Sequence, residues 1–276
     1  MEISRTLEEQ AARERFDRKY RLTQSEVMLE IERAVFDRDY GGTSWTTRNE
    51  AEQVARMLGL APGTRLLEVG AGSGWPGLYW ALTTGCDVAL VDVPLEGLRV
   101  AAMRAVADQL AGERWLAVAD GAALPFKSGW FDAVSHSDVL CCLQAKTSVL
   151  SACRQAVRPG GKMAFTVLWV PPDLAPADYE RGVGFGPEFV KTAVDYPTML
   201  GQTGWKITDR IDLRAEFLKT ARDLVREEEA RADRLTELLG EEEYAEQRAK
   251  RRMDLQLIEE GLLRRDLFVA TTASAG

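Results

Sequence analysis

The sequence predicts a doubly wound α/β fold, and three observations carry that prediction. Short apolar runs alternate with helix-length segments from residue 66 onward. A glycine-dense turn, Gly70-Ala71-Gly72-Ser73-Gly74, follows the first of those runs. Acidic residues close the next two, Asp92 the second and Asp120 the third. Such alternation builds a parallel sheet with helices on both faces, and its ligands bind outside the carboxyl ends of the strands.

At 276 residues, 46% hydrophobic and 28% charged, the chain has the composition of an ordinary globular protein. We divide it into a helical cap or lid at 1–48 and a ligand-binding core at 49–276. In the cap, 7–20 and 27–36 have helical periodicity, the second with Val27, Ile31, Ala34 and Val35 along one face. The loop 39–48 combines glycines, hydroxyls and two aromatics, Tyr40 and Trp45. It reads either as a turn at Gly41-Gly42 with Trp45 packed beneath it or as a lid that contacts ligand. A helix over 49–58 stops at Gly59, and Pro62-Gly63 turns the chain into the first strand.

That strand is the buried run Leu66, Leu67 and Val69, and Pro76 presets the helix over 78–84 beyond the glycine turn. A strand at 87–92, a helix at 95–110 with Leu98, Ala102, Ala105 and Val106 inward, and a strand at 115–119 follow. The fourth strand is 131–134, then come a helix at 147–157 and a turn, Arg158-Pro159-Gly160-Gly161-Lys162, into a fifth strand at 163–170. Residues 171–192, rich in proline, glycine and aromatics, break all periodicity and read as an inserted cover. A short helix begins over 196–200, and strands at 205–213 and 265–271 complete the sheet. Between those two strands the helical arm 214–263 carries Phe217, Leu218, Ala221, Leu224 and Val225 on one stripe and is divided at Gly240 into two helices. Its Glu- and Arg-rich remainder reads as a solvated face. The stripe covers either the substrate crevice or a dimer partner, so both a monomer and a homodimer are compatible with it.

A net charge of −8 and a pI near 5.0 speak against nucleic acid as partner, because its binders concentrate positive charge. No apolar core of signal-peptide type opens the sequence and no run reaches membrane-spanning length, so we expect a cytoplasmic protein without membrane contact. Cys86, Cys141, Cys142 and Cys153 show no C-x-x-C pairing and come with one histidine, His136; we expect buried thiols and no metal.

The glycine turn points unpaired backbone N–H groups at whatever sits above it. Dinucleotides and S-adenosylmethionine (SAM) both use such geometry. Gly72-Ser73-Gly74-Trp75-Pro76-Gly77 satisfies G-x-G-x-x-G, but the dinucleotide fingerprint places its first glycine directly after the strand. Gly70 holds that place, and in its frame the third glycine is Trp75. Glu68, an acid inside a buried strand, is costly unless something cationic or protic uses it, and a pyrophosphate would be repelled.

The set Leu67-Glu68-Val69-Gly70-Ala71-Gly72-Ser73-Gly74, the acid Asp92, the run Asp120-Gly121-Ala122-Ala123-Leu124-Pro125-Phe126, then Phe131-Asp132-Ala133-Val134 and Arg158-Pro159-Gly160-Gly161-Lys162, resembles the class I SAM-dependent methyltransferases. The small-molecule branch, with ubiquinone, menaquinone and natural-product methyltransferases, is the most similar. The resemblance implies a Rossmann-like, seven-stranded, mostly parallel sheet whose last strand is antiparallel. It further implies methyl transfer from SAM to an O, N or C nucleophile of a small molecule, without a metal. Glu68 would then hold the methionine end of SAM, with Gly70, Ala71, Gly72 and Gly74 letting the backbone approach. Asp92 would accept from the ribose hydroxyls with Val93 against the adenine, and Asp120, Gly121 and Ala122 would read the adenine edge. Ser135 and His136 would lie near the methyl group, with His136 the candidate base for a weakly nucleophilic acceptor. Relatives often carry a histidine a few residues further on, where this chain has Cys141-Cys142. Tyr40, Trp45, Tyr179 and Phe185 are the candidate acceptor contacts. A nicotinamide-dependent oxidoreductase and a non-catalytic SAM-binding regulator are the alternatives.

Overall fold

The structure, a computed structural model, describes residues 7–110 and 112–273; the remainder of the cap, 1–6, lies outside the described residues. The seven strands are β1 (Arg65–Val69), β2 (Asp87–Asp92), β3 (Arg114–Val118), β4 (Phe131–Ser137), β5 (Val157–Trp169), β6 (Lys206–Asp212) and β7 (Arg264–Thr271). They form one sheet in the order β3-β2-β1-β4-β5-β7-β6. β1 to β5 pair in parallel, while β7 is antiparallel to both its neighbours, β5 and β6. The chain reverses its direction of travel across the sheet between β1 and β4, which opens a crevice beyond their carboxyl ends.

Among the described residues eleven α-helices surround the sheet: α1 (Leu7–Leu22), α2 (Glu26–Phe36), α3 (Arg48–Leu58), α4 (Gly77–Thr84), α5 (Leu95–Ala107), α6 (Lys146–Ala156), α7 (Pro176–Phe185), α8 (Tyr196–Gln202), α9 (Arg214–Ala230), α10 (Ala232–Leu239) and α11 (Glu241–Glu259). Strand alternation divides the core between the two faces. Leu67 and Val69 of β1 pack with α6 and α8, whereas Leu66 packs with α3, α4 and α5. Each fully buried Leu or Val contributes about 1.5–3 kcal/mol, so this two-sided burial is what fixes the register of β1.

Cap and arm meet each other. Val27, Ile31 and Phe36 of α2 share an apolar cluster with Leu224 of α9, Leu235 of α10 and Tyr244 of α11. Leu224 of the arm's stripe therefore packs on the cap within one chain, while Phe217 and Ala221 join the core cluster of the sheet. Helix α1 lies along α5, where the Glu96 amide donates to Asp17 Oδ1 at 2.9 Å.

Several expectations are corrected. The aperiodic 171–192 segment contains a regular helix, α7, which Pro176 starts at its first position. The arm holds three helices, because the chain breaks at Arg231 as well as at Gly240. In α5 the inward face is Gly97, Leu98, Ala101 and Ala105, so Ala102 and Val106 point to solvent. Strand β4 continues through Ser137, three residues beyond the expected end, and that extension changes the site.

Candidate active site

A cavity of about 280 Å³ lies in the crevice, walled by the carboxyl ends of β1, β2 and β4 and roofed by α1. Gly70, Asp92, Val93, Asp120 and Gly121 line it. Gly70 has φ +70°, and a β-carbon there would collide with the Val139 side chain. Only glycine lets β1 turn so closely beside the wall. Asp92 Oδ2 accepts from the Gly72 amide at 2.7 Å and Oδ1 from the Val93 amide at 2.7 Å. Burial outweighs both bonds and pushes its pKa up to about 6. Asp120 Oδ1 accepts from the Ala122 amide at 2.8 Å, which turns the loop after β3 toward the cavity.

The other expected cofactor contacts stand behind this wall. The Ala71 amide donates to the Val91 carbonyl and the Gly74 amide to the Ala71 carbonyl, so both shape the turn from below. Ala122 serves Asp120, and Gly72 serves Asp92. Glu68 does not face the cavity. Alternation turns it to the α4 side of β1, 1% exposed, with its carboxyl against the first residue of α4, Gly77, and no hydrogen-bond partner for Oε2. Burial holds its pKa well above the carboxylate range. Turned away from the cavity, Glu68 presents no carboxyl to a ligand there, so the acids that favour a cationic ligand are those at the ends of β2 and β3.

Ser135 and His136 are corrected as well. Both lie inside the longer β4, 1% and 0% exposed, and Ser137, Asp138 and Val139 take their place at the cavity. The His136 ring stacks on Phe165 at 4.5 Å between centroids, and neither ring nitrogen has a partner. Burial alone lowers its pKa to about 3, so it is neutral and has no route for a proton. His136→Phe should leave S-adenosylhomocysteine (SAH) affinity within about twofold, since the residue acts by packing. A large loss of affinity in calorimetry would restore it to the site. Because its folded pKa lies below the unfolded value of 6.5, wild-type stability should fall as pH drops from 6.5, by about 1.4 kcal/mol per pH unit, and the variant should lose that slope.

Of the expected acceptor contacts, Trp45 lines the cavity, while Tyr40, Tyr179 and Phe185 do not. Tyr40 is a core residue, packed on Trp75 at 5.1 Å with the Arg104 guanidinium 3.7 Å from its ring centroid. Phe185 is half exposed on α7, and the segment delivers Pro187 and Phe189 to the wall instead. Lys146 fastens that segment by donating to the carbonyls of Leu143 and Phe189, each at 2.6 Å.

A second cavity, about 440 Å³, adjoins the first; Lys19, Trp45, Cys142 and Leu168 belong to both walls. Its far side is apolar, with Ile31 and Phe36 from α2 and Phe217 and Leu224 from α9. Two buried arginines hold the loop between α2 and α3 over this junction. Arg38 binds Glu32 at 2.7 Å and the carbonyls of Ser44 and Thr46 at 2.8 and 2.6 Å. Arg265 of β7 binds Asp138 Oδ1 at 2.9 Å, Glu50 Oε1 at 2.8 Å and Thr46 Oγ1 at 3.0 Å, and Asp138 Oδ2 accepts from the Trp45 amide at 2.8 Å. The sequence reading missed Phe16, Lys19 and Tyr20 of α1, which line the first cavity, and the Arg265 network. The four-residue spacing of Phe16 and Tyr20 was the visible signal for α1; the charged start of β7, Arg264-Arg265-Asp266, ahead of its apolar run was the signal for Arg265.

Comparison with known proteins agrees with this geometry. Residues 67–165 match the family model described as "Methyltransferase domain". Over that segment the chain is similar to methyltransferase domains. The match runs from β1 into β5 and includes the glycine turn, Asp92 and Asp120; cap and arm lie outside it. The 27-O-demethylrifamycin SV methyltransferase of Amycolatopsis mediterranei (strain S699) is 28% identical over 162 residues, 57% of this chain and 60% of that protein. The chain spans about half the length of the curated relatives it matches. Among solved structures, phosphoethanolamine N-methyltransferase 2 of Haemonchus contortus, in complex with phosphomonomethylethanolamine and S-adenosylhomocysteine, superposes with a TM-score of 0.77 at 19% identity, over 95% of this chain and 60% of that one. The [4+2]-cyclase SpnF has a TM-score of 0.73 at 18% identity, over 94% and 95% of the two chains. The fold shared with these two structures thus extends through cap and arm, beyond the matched segment. Among the described residues no group of His, Cys, Asp or Glu could hold a metal ion, and no helix is long and apolar enough to cross a membrane.

Proposed function

We propose that this chain transfers the methyl group of SAM to an O, N or C nucleophile of a small molecule, leaving SAH. The observation that carries the reading is the convergence of Asp92 and Asp120, from the ends of neighbouring strands, on the cavity that Gly70 borders. Asp92 would hold the ribose diol, Asp120 the adenine amino group, and Val93 the adenine face, while the Gly70 backbone would approach the methionine end. The fit is electrostatic as well as steric. Asp92, Asp120 and Asp138 are the carboxylates on this wall and Arg13 and Lys19 its cations; Arg265 binds Asp138 and Arg13 pairs with Asp17, while among the described residues neither Asp92 nor Asp120 has an ion pair. A cationic sulfonium suits the two that remain; a pyrophosphate does not.

SAM supplies an activated methyl group, so the protein has mainly to orient and enclose. Holding acceptor and methyl in line is worth on the order of 7–11 kcal/mol. The second cavity is the space for the acceptor, closed by the cap at 1–48 together with the arm at 214–263, with the core as the donor-binding part. The buried residues of the arm's stripe are already covered within the chain, Leu224 by α2 and Phe217 and Ala221 by the core of the sheet, which favours a monomer over a homodimer. Four free cysteines fit a cytoplasmic location, and the net charge of −8 fits an acceptor other than nucleic acid.

Calorimetric titration with SAM, SAH and NADH tests the reading, followed by release of labelled methyl product from an acceptor library. SAM and SAH should bind and NADH should not. Binding of NADH without SAM or SAH would replace this proposal by a nicotinamide-dependent one.

A further inference from the structure

We infer that the acceptor carries an acidic oxygen, a carboxylate or a phenol-type hydroxyl, on an apolar body, and that Lys19 recognises that oxygen where the two cavities meet. The inference rests on the methyltransferase reading. A methyl group that leaves the first cavity for a molecule in the second must cross their shared wall, and Lys19 of α1 belongs to that wall.

The charges around the second cavity single it out. Glu32 of α2 is matched by Arg38 at 2.7 Å and by the amides of Gly41 and Gly42. Glu188 is matched by Arg15 of α1 at 2.6 Å. On α11, Lys250 holds Asp254 at 2.9 Å, and Arg251 holds Glu228 of α9 at 3.1 Å. Lys19 is half-buried and, among the described residues, has neither a side-chain hydrogen bond nor an ion pair. One uncompensated positive charge therefore faces a pocket whose far wall is apolar. Burial, then the nearby Arg251 and Lys250, lower the Lys19 pKa to about 8, while Cys142 and Glu228 oppose that shift. An anionic oxygen relieves both the desolvation and the repulsion. A neutral acceptor relieves neither, and a cationic one adds to the repulsion.

The same placement prepares a nucleophile. With a carboxylate acceptor no proton has to move. With a phenol, the O–H bond breaks, its electron pair stays on oxygen, and the proton passes to the neutral fraction of the Lys19 amine, which later returns it to solvent.

The test titrates SAH-saturated protein at pH 7 with 2-naphthoate, 2-naphthol and 2-naphthamide, followed by their fluorescence and absorption. These share one apolar body and differ in the oxygen offered. Naphthoate or naphthol should bind at least about tenfold more tightly than the amide, as a charge-assisted hydrogen bond provides. Preference for naphthoate identifies a carboxylate acceptor; preference for naphthol, with a naphtholate absorption band, identifies a phenol. Lys19→Met should abolish the preference and Lys19→Arg should keep it. In wild type it should fade as pH rises above about 8 and Lys19 loses its proton. SAH affinity, measured on each protein, reports separately on the methyltransferase reading. If SAH binds but acid and amide bind alike, if none of the probes binds, or if Lys19→Met keeps the preference, the inference is overturned while that reading stands.

Discussion

Asp92→Ala should weaken SAH binding by about a hundredfold, the equivalent of losing about 3 kcal/mol in two charge-assisted hydrogen bonds. On the proposed reading alanine removes the acceptor for the ribose diol, and it also frees the Gly72 and Val93 amides that Asp92 now holds. Asp92→Asn keeps the shape and one acceptor oxygen, so it should lose about tenfold. Protonation should act in the same direction as the asparagine variant. The folded carboxyl has a pKa of about 6 and ligand needs its charged form, so affinity should be level above pH 6 and fall about tenfold per unit below it. Stability of the ligand-free protein should change the other way. The folded acid holds its proton more tightly than the unfolded one, so this group's contribution declines as pH rises from 3.8 to about 6. Calorimetry of the two variants across pH checks both trends. Unchanged SAH affinity in the alanine variant would remove Asp92 from the donor site.

Arg265→Met should destabilise the protein by about 3–5 kcal/mol, because it strands two buried carboxylates, Asp138 and Glu50, that share one cation. Exposed pairs set the contrast. Arg222 and Glu259 are 2.8 Å apart at the surface, and breaking them should cost less than about 1 kcal/mol. The difference reflects desolvation: Arg265 is 0% exposed, so water cannot replace the lost partner. Urea unfolding of the two variants, Arg265→Met and Arg222→Met, measures that difference directly. Equal losses would mean that the buried network contributes no more than a surface pair.

Most of the sheet was legible because β1, β2, β3, β5 and β7 each contain an apolar run, whereas β6 shows only alternation. β1, β2 and the later part of β5 read directly, since parallel strands buried on both faces tolerate few polar residues. Asp92 and Asp120 were legible for the same reason, as polar residues that end such runs. Glu68 and His136 misled. Each is a polar residue inside a strand, where alternation rather than proximity in sequence decides which side it faces. A β4 three residues longer than expected was enough to put His136 in the core and Asp138 at the cavity. The roof and the second cavity were the least legible parts. They are built by α1, α2 and the arm, whose meeting depends on tertiary packing that no local period encodes.

The arginine on β7 also bears on when the site comes into being. Its partners Glu50 and Thr46 lie 215 and 219 residues earlier in the chain. β7 inserts between two strands that are already made, so the sheet is completed by its last element. Contacts of such long sequence separation form late, after the entropy of closing most of the chain into a loop has been overcome. On a growing polypeptide, the loop above the junction stays without its anchor until residue 265 has emerged. The donor-binding half can form first, and the acceptor side is assembled only when synthesis has nearly reached that final strand.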